Sequence, residues 1–178
     1  MSATRVLVLP GYGDSGPEHW QTLWERAHGY TRVVQDDWLE PQRNAWVSTL
    51  ERAVAASSAP VVLVAHSLAC ALVAHFAARP AAARVTGALL VAPADVDSDV
   101  HTPDEVRSFA PMPLDRLPFP AIVVASADDP FVEPRRARQF ADAWGARLVD
   151  TGACGHLNAD GGFGPWPQGY RLLASLLG

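Results

Sequence analysis

Short apolar runs alternate along this chain with stretches of helical spacing, and that alternation is what most limits its fold. The first run, Arg5-Val-Leu-Val-Leu9, is closed by Pro10-Gly-Tyr-Gly13, which reads as a buried strand opening into a glycine-bearing turn. Residues 17–28 follow as a helix, with Pro17 suited to its first turn and Trp20, Leu23, Trp24 and Ala27 at helical spacing. A strand over 31–35 and an amphipathic helix over 44–56 come next, the latter with Val47, Leu50 and Val54 on one face. Strand 61–65, helix 67–78 and strand 85–91 continue the rhythm. A Pro-rich, acidic segment, 93–120, interrupts it before strand 121–125, helix 134–144, a short strand 147–149 and a last helix over 169–177. Strands joined by helical crossovers run parallel, so the expected class is α/β. It has a mostly parallel sheet covered by helices on both faces, with reactive groups at the C-terminal strand ends. At 178 residues, with no repeat and no linker, residues 1–178 are expected to form one domain.

Composition removes several functions. Net charge is −5 with no run of like charges, which argues against nucleic acid or an anionic membrane as the main partner. All 14 basic residues are arginine, so Schiff-base and Walker A lysine chemistries are excluded. The two cysteines, Cys70 and Cys154, make no disulfide scaffold and lack the spacing of a zinc site. A reducing, cytoplasmic setting is therefore the default. Residues 1–10 read as a strand and lack the features of a signal peptide. Residues 61–78 approach membrane length but carry His66, Ser67 and His75, and they divide into a strand and a helix of the core.

The chemistry concentrates at Val-Val-Leu-Val-Ala65-His66-Ser67-Leu68-Ala69-Cys70, a buried strand running into a helix with serine at the turn. A nucleophile on such a turn needs small residues two positions to either side, and Ala65 and Ala69 meet that need. The turn exposes the hydroxyl and aims the first helical amides, that of Leu68 foremost, at developing negative charge. Read alone, Ser67 serves equally as a helix N-cap. A serine nucleophile also requires a histidine base and a carboxylate to orient it. Strand 121–125 ends in Ser-Ala-Asp128-Asp129-Pro-Phe-Val132, and Gly155-His156-Leu157 lies in a loop after the last strand. Serine, then acid, then histidine is the chain order of α/β-hydrolases. An ordinary turn before Pro130 and a loop histidine are the plainer readings of those two segments.

These segments resemble the small, lidless α/β-hydrolase serine hydrolases of the retinoblastoma-binding-protein type and their bacterial relatives. The likeness runs through Pro10-Gly-Tyr-Gly13, Pro17-Glu-His19-Trp20, Gln35-Asp-Asp-Trp38, Ala65-His-Ser-Leu-Ala69, Asp128-Asp-Pro-Phe-Val132 and Gly155-His-Leu157. The resemblance implies that Asp129 is the acid, because it stands immediately before Pro-Phe-Val, and that Asp128 is its neighbour. It also implies that the backbone N–H of Tyr12 is the second oxyanion donor. The chain departs from the family's Gly-His-Ser-x-Gly pattern in having alanine at both ends of the elbow.

Ser67, Asp129 and His156 are thus the expected catalytic residues of a serine hydrolase acting on a small ester or amide, carboxylesterase-like, with no metal or organic cofactor required. His19 and Trp20 are expected to border the pocket, the histidine as a hydrogen-bond donor and the tryptophan as a wall. His66 is a further pocket candidate, expected to bond locally and to aim away from the side of Ser67. Cys154 is expected to be buried and inert, and Asp36, Asp37 and Trp38 to organise the loop after the second strand. The segment 93–120 is too short for a large helical lid, so the pocket should be shallow and partly open. Two other functions compete. One is a non-catalytic binding module on the same fold. The other is a dinucleotide site, because Gly11-Tyr-Gly13-Asp-Ser-Gly16 spells G-x-G-x-x-G and Asp36 lies 20 residues past Gly16.

Overall fold

The structure, a computed structural model, describes residues 4–178; the first three residues of the expected strand over 1–10 lie outside the described residues. Its strands are β1 (Arg5–Leu9), β2 (Thr31–Arg32), β3 (Val61–His66), β4 (Val85–Val91), β5 (Ala121–Ala125) and β6 (Arg147–Asp150). They form one sheet in the order β2-β1-β3-β4-β5-β6, every neighbouring pair parallel. The helices are α1 (Trp20–His28), α2 (Arg43–Ala55), α3 (Leu68–Phe76), α4 (Pro134–Trp144) and α5 (Pro167–Leu177). This is the α/β-hydrolase fold, with no helical lid among the described residues.

Period-two alternation divides the interior into two cores. Leu7, Leu9, Leu63, Ala65, Leu90 and Val123 pack on the face that carries α2, α3 and α4. Val6, Val62, Val64, Leu89, Ile122 and Val124 face α1 and α5. The inner strands β1, β3, β4 and β5 therefore read as nearly continuous apolar runs, as strands covered on both faces must.

Three elements differ from expectation. α1 begins at Trp20, three positions after Pro17, because the His19 ring accepts the Gln21 N–H and caps the helix there. β2 is two residues long where five were expected: Val33 N–H still bonds to the Val8 carbonyl, but Val34 turns to solvent at 65% exposure. This is an edge strand with only one neighbour to hold it. The segment 93–120 forms no α-helix, only a 3-10 turn at Asp104–Phe109. Among the described residues no helix is long and apolar enough to cross a membrane.

Candidate active site

The end of β3 sets the site. Ser67 sits between β3 and α3 at φ 58°, ψ −122°, a left-handed backbone that non-glycine residues seldom adopt and that persists where the surrounding structure holds it. Its side chain makes no capping bond, so the N-cap reading fails and the hydroxyl is left to its surroundings. Ala65 and Ala69 are fully buried in the core around α3. Gly11, from the loop after β1, lies against the same turn: a Cβ there would stand 2.8 Å from the His66 carbonyl oxygen, 3.0 Å from Ser67 Cβ and 3.2 Å from the Leu68 nitrogen. Only glycine permits that approach.

Polar bonds hold the 11–19 loop in place. Buried Gln21 donates from its amide to the carbonyls of Leu9 (3.0 Å) and Val64 (3.1 Å), bridging the ends of β1 and β3, and accepts from Ser15 Oγ (2.7 Å). Arg32 reaches Asp14 (2.7 Å), Glu25 (2.8 Å) and Thr22 (2.6 Å).

Ser67, His156 and Asp129 meet. His156 Nε2 is 2.9 Å from Ser67 Oγ, and Nδ1 is 2.9 Å from both carboxylate oxygens of Asp129. With a carboxylate at Nδ1 the ring proton sits there, so Nε2 accepts the serine O–H. The Asp129 side chain is wholly buried and also accepts the Phe131 N–H (2.9 Å). Asp128 stands outside this row. Its Oδ1 accepts from the Gly155 N–H (2.7 Å) and from Ser126 Oγ (2.8 Å), and these bonds, the first above all, hold its carboxyl below the usual range.

A cavity of about 300 Å³ opens over Ser67. Tyr12 and His19 line it from the first loop, Leu68 from α3, and Pro103 and Val106 from the segment after β4. His66 lines it too, but its bond is not local: Nε2 donates to the carbonyl of His156, 90 residues away, at 2.9 Å. Burial first, and the neighbouring His156 and His19 after it, push the His66 pKa well down. Trp20 is a correction. It is fully buried and forms no wall of the cavity; its indole N–H donates to the Leu157 carbonyl at 2.8 Å, because a residue at the first position of α1 points inward to the α1–α5 core. Cys154 is half-buried, with its thiol against the Thr151 carbonyl at 3.2 Å. Asp37 braces its own loop by accepting from Leu39 and Glu40 N–H, while Asp36 is exposed. The Gly11–Gly16 spacing does not open a helix, since a turn through His19 intervenes. Sequence reasoning missed Phe131, whose ring lies 4.4 Å from that of His156; the Pro-Phe-Val segment beside the acid was the available signal.

Residues 6–175 match the family described as serine hydrolase. The chain belongs to the serine hydrolase family. A YdeN-like hydrolase of Pectobacterium atrosepticum is 32% identical, with a TM-score of 0.85, over 98% of this chain and 91% of that one. The ydeN gene product of B. subtilis is 22% identical with a TM-score of 0.76 over 98% of both chains. A hydrolase from Oleispira antarctica, 13% identical, matches with a TM-score of 0.71 over 98% of this chain and 92% of its own. The last two likenesses concern the fold alone. No curated protein matches the chain. Membership of the serine hydrolase family makes this chain a hydrolase by class, with its substrate still to be read from the cavity.

Proposed function

We propose that the protein cleaves a small ester or amide through an acyl-enzyme on Ser67. The observation that carries this reading is the unbroken row of 2.9 Å hydrogen bonds from Ser67 through His156 to Asp129 at a cavity of about 300 Å³. Ser67 Oγ attacks the acyl carbonyl as its proton passes to His156 Nε2. Asp129 holds the ring in the accepting tautomer and stabilises its cationic form. His156 then protonates the leaving group, and water repeats the sequence on the acyl-enzyme. The oxyanion is held by the N–H groups of Leu68 and Tyr12, a reading supported by the close seat of Gly11 against the Leu68 nitrogen; loss of one such donor costs about 3 to 4 kcal/mol in comparable enzymes. The cycle calls for no metal or organic cofactor.

The cavity volume falls at the low end for ligand sites, which favours short acyl groups over long chains. The inferred partner is this small molecule, not nucleic acid or a membrane. A fluorophosphonate probe tests the reading: wild type is labelled and turns over short activated esters, and Ser67→Ala does neither. An unlabelled wild type that hydrolyses no ester or aminoacyl amide of a short-chain panel would instead mark a binding module on the hydrolase fold.

A further inference from the structure

One buried donor beside the cavity has no partner among the described residues. The Gln21 N–H donates to His19 Nδ1 at 3.1 Å, so in the neutral ring the proton resides on Nε2. Burial, aided by His156 and Arg32, lowers the His19 pKa to about 4, so the ring is neutral at pH 7. His19 is 7% exposed and is one of the residues lining the cavity, and its buried Nε2 has no hydrogen-bond partner among the described residues. Leaving such a group unpaired costs about 1–3 kcal/mol, and native structures keep few of them without a reason. Two other polar groups of the lining are engaged: Asp14 by Arg32 at 2.7 Å, and the side-chain oxygen of Asn158 by the Gly161 N–H at 3.3 Å.

The surroundings say which part of a substrate would meet this donor. The leaving group lies beside the base that protonates it. His19 is on that side: the His66 ring touches both His19 (4.8 Å between centroids) and His156 (4.7 Å), and Trp20 bonds to the residue after the base. The apolar lining from Leu68, Ala94 and Val106 comes from the nucleophile's helix and the segment after β4, and it suits the acyl group.

We propose that the His19 Nε2–H is reserved for an oxygen of the leaving group, so that the preferred substrates are short-chain esters of alcohols carrying an ether or hydroxyl oxygen near the scissile bond. This rests on the hydrolase reading above. The test compares 2-methoxyethyl butyrate with butyl butyrate, which differ by an ether oxygen in place of a methylene, and divides the ratio of kcat/KM by the ratio for alkaline hydrolysis. Wild type should favour the ether ester about 3- to 10-fold beyond that chemical baseline, the size expected of one neutral hydrogen bond. His19→Asp keeps a helix-capping oxygen and, ionised, carries no donor, so its excess should fall to about one. A wild-type excess of one, or an excess that survives in His19→Asp, overturns the proposal.

A second measurement is independent of both turnover and the folding of that variant. In Ser67→Ala with 15N-labelled histidine, the His19 Nε2–H resonance should move when 2-methoxyethyl butyrate is added and stay still with butyl butyrate. A proton found on Nδ1, or a resonance that ignores the ether ester because water already satisfies it, overturns the assignment. Failure of wild type to hydrolyse either ester would end the hydrolase reading, while this resonance would still decide whether His19 meets a ligand oxygen.

Discussion

Gly11 and the two aspartates show how much of the site rests on single atoms. In Gly11→Ala the new methyl meets the His66 carbonyl at 2.8 Å and Ser67 Cβ at 3.0 Å. Both are parts of the turn that holds the nucleophile, and neither is the free end of a flexible chain. The variant should lose at least tenfold in kcat and about 1–3 kcal/mol of stability through overpacking, seen in ester kinetics and urea unfolding; wild-type values would mean that the loop after β1 does not brace the elbow. At Asp129 the two oxygens share one ring proton, and an amide there would offer a donor where His156 needs an acceptor. Asp129→Asn should therefore reduce kcat by about 10³- to 10⁴-fold by favouring the wrong tautomer. Asp128→Asn keeps an oxygen for the Gly155 N–H and should cost on the order of tenfold. Equal losses would place the orienting carboxylate elsewhere.

The loop between β6 and α5 carries the base and is gripped at four consecutive residues. Ser126 Oγ accepts the Cys154 N–H (2.9 Å), Asp128 the Gly155 N–H (2.7 Å), and the carbonyls of His156 and Leu157 accept from His66 (2.9 Å) and Trp20 (2.8 Å). Leu157 is fully buried at φ 50°, a strained backbone that such a grip sustains. Ser126→Ala cuts both its bond to Asp128 and its bond to Cys154. Its kcat should fall about 10- to 100-fold with KM little changed, because orientation of the base, not substrate binding, is what it supports; a rise in KM alone would contradict this. The grip was invisible in sequence, since its donors and acceptors lie on four separate segments. What could be read was local: the apolar runs of β3, β4 and β5, both faces of which are covered, and the Pro134 start of α4 match their observed bounds to within a residue. The reading failed where a single long-range bond decides. A ring nitrogen of His19 sets the start of α1, β2 has a partner on one side only, and Trp20 turns inward to a carbonyl 137 residues away.

At the scale of the whole molecule, the two cores meet the ends of the sheet in a cluster of histidines that folding keeps neutral. Burial lowers the pKa of His19 to about 4 and pushes that of His66 well down, both from ordinary values near 6.5. The sign of the pH effect follows. Above pH 6.5 both states hold these rings neutral and nothing is lost. Between 6.5 and about 4 the unfolded chain binds protons that the folded chain refuses, so stability must fall as pH falls. The slope has an upper bound of about 1.4 kcal/mol per pH unit for each such histidine, a large share of a stability of roughly 5–15 kcal/mol. Most carboxylates titrate below pH 5, which leaves pH 6.5 to 5 as a window in which histidine dominates. Urea midpoints should hold steady from pH 8 to 7 and then drop through that window, with a shallower drop in His19→Asn. A midpoint that stays flat down to pH 5 would mean that the cluster takes up its protons without unfolding. The elbow and the base loop would then tolerate charge at their centre, and His19 would keep its Nε2–H in that pH range while losing the Nδ1 acceptor that caps α1.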